Sequence, residues 1–153
     1  MKASRGDWSA CGLPVVLPEL TITPTHMQIF MFSAATWNRH HIHYSRDAAI
    51  REGLPDVVVQ RGLIGNFFAR LLGDWLAGEG EIREISWKVL SSAVPGQALR
   101  CGGTVTEIES SETADYLLCD LRMTDETGRM IATGAAKLQR SPAAVEETPR
   151  SGR

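Results

Sequence analysis

Between Gly62 and Ala77 the apolar residues Leu63, Ile64, Phe67, Phe68, Leu71, Leu72, Trp75 and Leu76 recur at spacings of one, three and four. That is the period of a helix with a wide apolar stripe. Asn66, Arg70 and Asp74 fall on its polar side, and Gly78 stands where a C-terminal stop is expected. A shorter helix is predicted over Arg46–Glu52, closed by Gly53 and Pro55. Met27–Ala35 (MQIFMFSAA) is a continuous apolar run between Pro24 and polar residues, a pattern that predicts a buried strand. After Gly80 the pattern turns to β-type runs over Ile82–Ala93, Gln97–Glu109, Ala114–Thr124 and Arg129–Gln139. Pro95-Gly96, Ser110-Ser111 and Asp125–Gly128 supply turn residues between them.

Consecutive strands joined by short links imply an antiparallel meander. One early strand, one long apolar helix and four long strands imply an α+β layer in which an antiparallel sheet wraps around a single central helix, the hot-dog architecture. Eight apolar side chains on that helix look like more than one small sheet can cover, so a second subunit is expected to meet the helix or the sheet edge. Gly62 and Gly65 are costly within a helix and suggest close backbone approach, by a ligand or by a neighbouring subunit. Trp37, Trp75 and Trp87 are expected in the core or at an interface. The domain is expected over residues 14–140, and the Ser-, Pro- and charge-rich segments 1–13 and 141–153 are expected to be disordered.

A length of 153 residues, 43% hydrophobic and 22% charged, fits one globular domain. Sixteen Lys+Arg against eighteen Asp+Glu leave a net charge of -2 without a dense basic face, which argues against a nucleic-acid partner. No apolar run approaches the roughly 20 residues that span a bilayer. The start MKASRGDWSA lacks a long apolar signal core, so a soluble, cytoplasmic protein without a membrane partner is expected. Cys11, Cys101 and Cys119 are odd in number and lack C-x-x-C spacing, so they are read as reduced thiols, chiefly in the core. Phosphate-cradling glycine motifs and a G-x-S-x-G elbow are absent, which places nucleotide and serine-hydrolase chemistry low.

Three of the four histidines fall within four positions, in Asn38-Arg39-His40-His41-Ile42-His43-Tyr44. The cluster follows an apolar run and precedes a short helix, which puts imidazoles in a turn beside the core. A neutral imidazole takes or gives a proton near pH 7, so the turn is the natural seat of general acid–base catalysis. A solvated His-rich loop is the plainer alternative. A metal site is a third, but no Cys or carboxylate lies in the turn, and neither a metal nor a cofactor is expected.

The stretch Phe32-Ser33-Ala34-Ala35-Thr36-Trp37-Asn38-Arg39-His40-His41-Ile42-His43-Tyr44-Ser45-Arg46-Asp47 resembles the hydratase motif of MaoC-like hot-dog dehydratases. The resemblance is closest to the type 2 hydroxyacyl-thioester dehydratase and mesaconyl-CoA hydratase branch, which reads approximately S-A-x-T-x-N-x-H-x-I-H-Y-x-R. It is specific at the His turn and generic along the strands, over roughly Leu17 to Arg140. The resemblance implies reversible addition of water across the α,β double bond of an acyl-CoA or acyl-carrier-protein thioester, with an (R)-3-hydroxy product. His43 matches the catalytic histidine. Asn38 stands where most of the superfamily has Asp; it cannot accept a proton but can hold the water or orient the imidazole. His40 either shares proton transfer or shapes the turn, and His41 is expected to face solvent.

The enolate-like oxygen of that reaction needs donors, and the start of the long helix offers unpaired N–H groups and the positive end of the helix dipole. Gln60, Arg61, Gly62 and Leu63 lie there. Many relatives have His-Gly where this chain has Gln60-Arg61, and Arg61 is either a contact for a CoA phosphate or a surface residue. Two other readings stay open. One is an accessory subunit paired with a second hot-dog chain, as occurs in steroid-degrading relatives; the expected assembly is thus a homodimer or such a heteromer. The other is a thioesterase, disfavoured because the apolar face of the helix carries no carboxylate.

Overall fold

The computed structural model describes residues 12–110 and 114–140. Two short strands, β1 (Val15–Val16) and β2 (Leu20–Ile22), lead into helix α1 (His26–Thr36). A 3₁₀ turn over His41–His43 and helix α2 (Arg46–Arg51) precede the long helix α3 (Arg61–Leu76). Strands β3 (Gly80–Val89), β4 (Leu99–Ser110), β5 (Asp115–Thr124) and β6 (Met130–Arg140) complete the chain. The segments 1–11 and 141–153 expected to be disordered, Cys11, and Ser111 of the expected β4–β5 turn lie outside the described residues.

All six strands form one antiparallel sheet in the order β1-β4-β5-β6-β3, with β2 also on β4. The expected four-strand meander is therefore corrected. β4, β5 and β6 follow one another as neighbours, but β3 lies beyond β6, at the opposite edge from β1. The chain between β3 and β4 carries it back across the sheet, and Ala93 in that crossing is fully buried. Short links made a meander the simplest reading; hydrogen-bond partners across a sheet leave no mark in the local pattern.

The expected strand over Met27–Ala35 is also corrected: it is helix α1. Thr25 caps it, its side chain accepting the Gln28 N–H at 3.1 Å. Only Ile29 and Ser33, four residues apart, are buried, so a single narrow stripe of α1 faces the core. Met27, Phe30 and Met31 project outward, each more than half exposed. An apolar run buried on all sides and one buried on a single side look alike in sequence. The Thr25-x-x-Gln28 spacing of a capping box was the available signal for a helix.

Helix α3 packs its stripe onto the inner face of the sheet. Leu63, Ile64, Phe67, Phe68, Leu71, Leu72 and Leu76 are all at most 6% exposed, against Leu99, Cys101, Leu121, Met123 and Leu138. Each such side chain contributes about 1.5–3 kcal/mol on burial. The expectation that one sheet could not cover this helix is overturned, since its own chain buries seven of the eight and Trp75 packs partly buried against them. Asn66, Arg70 and Asp74 are exposed, as their spacing implied. Cys101 and Cys119 are buried free thiols, pushed by desolvation to about 12 and about 11 and so inert as nucleophiles. Among the described residues no helix is long and apolar enough to cross a membrane.

Candidate active site at the His turn

Helix α1 ends on Trp37, whose φ of 55° is left-handed, a conformation more often given to Gly at this position. The reversal lets the Asn38 N–H reach back to the Ser33 carbonyl at 2.9 Å. Asn38 is thereby placed half-buried at the mouth of the turn, and its side-chain carbonyl oxygen accepts the His40 N–H at 3.1 Å. The amide NH₂ of Asn38 carries two donors that this contact leaves unused. Tyr44 closes the turn by donating its hydroxyl to the Arg39 carbonyl at 2.8 Å. Phe30, Trp37 and Tyr44 surround a shallow cleft of about 180 Å³ with Asn38 at one side.

His43 is half-buried, and its Nδ1 lies 2.8 Å from the Val58 carbonyl oxygen. A carbonyl only accepts, so Nδ1 carries the proton and Nε2 presents its lone pair whenever the ring is neutral. The Val58 N–H returns the contact by donating to the Ile42 carbonyl at 3.1 Å. Burial lowers the pKa of His43 from 6.5; the Val58 contact opposes this and the neighbouring His40 adds to it. His40 is exposed, its ring centroid 6.0 Å from that of His43. His41 is exposed, its ring 5.4 Å from the Tyr44 ring.

Val58 belongs to a strap, Val57–Gln60, in which every residue is buried. Val58 holds His43. Val59 donates to the Ala93 carbonyl at 2.9 Å, which fixes the strap to the β3–β4 crossing. Gln60 is the N-cap of α3 and its carbonyl accepts the first helical N–H, from Ile64. The N–H groups of Arg61, Gly62 and Leu63 therefore have no acceptor within the helix. Arg61 follows Val58 by three residue steps along the chain, a span of at most about 11 Å. The His43 imidazole and the positive end of a helix dipole thus share one small region.

The residues expected to contact substrate are placed as follows. Gln60 is only 1% exposed, and its side chain turns onto α1 rather than outward. Arg61 is exposed but folds back over β3: its guanidinium donates to the Trp87 carbonyl at 3.3 Å and lies 5.8 Å from the centre of the Trp87 ring. The Trp87 indole N–H donates to the Arg61 carbonyl at 2.9 Å. The Trp87 ring occupies the space that a Cβ on Gly65 would need, and a Cβ on Gly62 would meet the Phe32 ring at 3.1 Å. The close approaches expected at both glycines are real, and aromatic rings of the same chain make them. Of the two places expected for Trp37, the core of the chain is ruled out, since 76% of its surface is exposed.

Sequence reasoning missed Val58 and Ser33, and it placed Trp87 in the core or at an interface without its contact to Arg61. The apolar run Val57–Val59 ahead of a helix marked a buried strap, but a backbone carbonyl that holds an imidazole has no sequence signature. A larger cleft, of about 700 Å³, is lined by residues of β3, β4, β5 and β6 and by none of the His turn. Lys137 beside it is paired with Glu109 at 2.7 Å. Among the described residues no three His, Cys, Asp or Glu side chains gather as metal ligands.

A family model described as hydroxyacyl-thioester dehydratase type 2 matches residues 16–95, which include the His turn, the strap and α3. No curated protein matches the chain. Solved structures share its fold. The ChsH1-ChsH2 complex from Mycobacterium tuberculosis superimposes with a TM-score of 0.75 at 20% identity, over 84% of this chain and 97% of that one. An (R)-hydratase from A. caviae involved in PHA biosynthesis gives 0.77 at 17% identity, over 86% and 98%. A MaoC-like dehydratase from Rhodospirillum rubrum gives 0.77 at 16% identity, over 88% and 97%. The sheet wrapped around α3 is the hot-dog fold of these MaoC-like proteins.

Proposed function

The chain belongs to the hydroxyacyl-thioester dehydratase type 2 family, and on that premise we propose that it is an (R)-specific enoyl-thioester hydratase and 3-hydroxyacyl-thioester dehydratase. Its substrate is an acyl-CoA or acyl-carrier-protein thioester. The observation that carries this reading is the 2.8 Å contact from His43 Nδ1 to the Val58 carbonyl, which leaves Nε2 free to act as a base on a ring held by the strap that leads into α3.

In the hydration direction Nε2 takes a proton from a water whose oxygen the Asn38 NH₂ group orients. The water oxygen bonds to C3 of the enoyl thioester while the C2–C3 π electrons move to C2 and the thioester oxygen. N–H groups of Arg61, Gly62 and Leu63, with the dipole of α3 behind them, stabilise the negative oxygen. The proton held on Nε2 is delivered to C2, which returns the imidazole to neutrality. Water is then added across the double bond with all atoms accounted for. No cofactor is called on. Lowering of the His43 pKa by burial favours the neutral base at physiological pH.

The working unit in this reading is a pair of hot-dog folds. Its support is the outer face of α1, where Met27, Phe30 and Met31 lie exposed beside Trp37. Such a patch on a chain this small marks a contact surface. A second copy gives a homodimer. A different hot-dog chain gives a heteromer, and the shared fold with a two-component complex motivates that arm. The test is purified chain with crotonyl-CoA and longer enoyl-CoAs, following loss of the enoyl absorbance, together with light scattering at micromolar concentration. Activity at about twice 16.8 kDa supports the enzyme and its dimer. A dimer active only with a co-expressed second hot-dog chain replaces the reading with that of an accessory subunit, and free-thiol release from saturated acyl-CoA replaces it with a thioesterase.

A further inference from the structure

Gln60 is among the largest fully buried side chains and carries the one buried side-chain atom, among the described residues, without a hydrogen-bond partner. Its Nε2 donates to the Ile29 carbonyl at 2.7 Å and to the Ser33 hydroxyl at 2.8 Å, both on α1. Its Oε1 accepts nothing from the described residues. The Ile29 carbonyl fixes which way the amide faces, because only the NH₂ end can meet it.

These contacts run to both sides of the His turn. Ser33, gripped by Gln60, is the residue whose carbonyl receives the Asn38 N–H at 2.9 Å. Two residues before Gln60, the Val58 carbonyl holds His43. Gln60 is also the N-cap of α3. One side chain therefore ties the end of α1 that presents Asn38 to the strap that holds His43 and to the helix start that bears the free N–H groups.

Stability does not account for an amide at this place. A methionine has nearly the same length and no polar atom to strand. With it, the Ile29 carbonyl keeps the Ser33 N–H of the α1 ladder, and the Ser33 hydroxyl can turn to the carbonyl four residues back. No group would be orphaned, and the unpartnered Oε1 would be gone. We propose that Gln60 is a positioning residue, whose buried amide latches α1 to the start of α3 and so sets the spacing of Asn38, His43 and the oxyanion donors. The inference rests on the hydratase reading for its kinetic consequence, not for the latch itself.

The test compares wild type with Gln60→Met, Gln60→His and Gln60→Met/Ser33→Ala. The readouts are crotonyl-CoA hydration, melting temperature, and hydrogen exchange of the Asn38 amide by NMR. Expected for Gln60→Met is a fall in kcat of roughly 10- to 100-fold, the scale of a misplacement near one ångström. KM should change little, the melting temperature should stay the same or rise, and Asn38 exchange should quicken. Gln60→His keeps an N–H donor toward Ile29 and should restore most of the rate. The double variant should be no slower than Gln60→Met, because both changes break one latch. Wild-type kcat and Asn38 protection in Gln60→Met would overturn the proposal. So would equal losses of rate and melting temperature in both Gln60→Met and Gln60→His, which mark a structural residue only. If wild type itself hydrates no enoyl-CoA, the functional reading fails, and exchange at Asn38 still decides the latch: quickened exchange at unchanged melting temperature supports it, and unchanged exchange overturns it.

Discussion

His43 Nδ1 and the Val58 carbonyl oxygen stand 2.8 Å apart, and this one contact assigns the imidazole its tautomer and leaves Nε2 as the acceptor. It also makes a pH prediction. In the proposed mechanism the working form of His43 is neutral, and burial lowers its pKa from 6.5. Protonation on acidification therefore comes later than for a free histidine, so the acid limb of kcat/KM for hydration should lie below pH 6.5. A limb above that value, measured on wild type with crotonyl-CoA, contradicts the assignment of His43 as base.

Asn38 should orient and not titrate. Asn38→Asp keeps the shape and offers a carboxylate, so activity should survive with a shifted pH profile. Asn38→Leu removes both the acceptor for the His40 N–H and the NH₂ donors, and should hydrate roughly 10²-fold more slowly, the lower scale for a lost catalytic group. Steady-state rates of the two variants decide it; equal speed of Asn38→Leu and wild type would place the water elsewhere.

Trp37 sits at φ 55° with 76% of its surface exposed, so within one chain it gains little packing for its backbone strain. Trp37→Gly should relieve about 1 kcal/mol of strain. If Trp37 instead packs on a second subunit, the same change should weaken association. Sedimentation with thermal melts at two protein concentrations separates these effects: the proposed dimer predicts a larger dissociation constant for Trp37→Gly, and unaltered association would remove Trp37 from the interface.

Asp125 closes the β5–β6 hairpin. It is buried, and its carboxylate accepts the Thr127 hydroxyl at 2.6 Å, the Thr127 and Arg129 N–H groups at 3.0 Å each, and the Arg129 guanidinium at 2.9 Å. The Thr127 hydroxyl leads in holding its pKa down from 3.8 to about 2. A folded-state value below the unfolded one stabilises the protein fully above about pH 4, and that contribution is lost as pH falls toward 2. Asp125→Ala should therefore melt well below wild type at pH 7, with the gap narrowing near pH 2. Circular-dichroism melts at both pH values check this, and a gap independent of pH would contradict it.

The parts of the fold legible in the sequence were those with a local period. The Gly62–Ala77 stripe gave α3 to within a residue at each end, and the four late β-runs correspond to β3 to β6. Position in the sheet was not legible, because nothing in Ile82–Ala93 records that its partner is β6. Helix α1 was hidden by apolar residues on its outward face, which periodicity counts as core although they are exposed in one chain. At the site, residue type singled out the histidine turn, and the resemblance to the hydratase motif singled out His43 and Asn38 within it. What holds them came only with the coordinates: a carbonyl of Val58, a hydroxyl of Ser33 and an amide of Gln60, none of which differs in sequence from an ordinary buried segment.

The central claim is that His43 is the base of an enoyl-thioester hydration, and rate measurement on His43→Ala tests it most directly. The ring is half-buried and makes one backbone contact, so its removal should leave a folded protein with a melting temperature close to wild type. Hydration of crotonyl-CoA by wild type, followed by loss of enoyl absorbance, should fall in His43→Ala by roughly 10²- to 10⁴-fold, the effect of losing a positioned general base. Undiminished turnover in a folded His43→Ala would contradict the account.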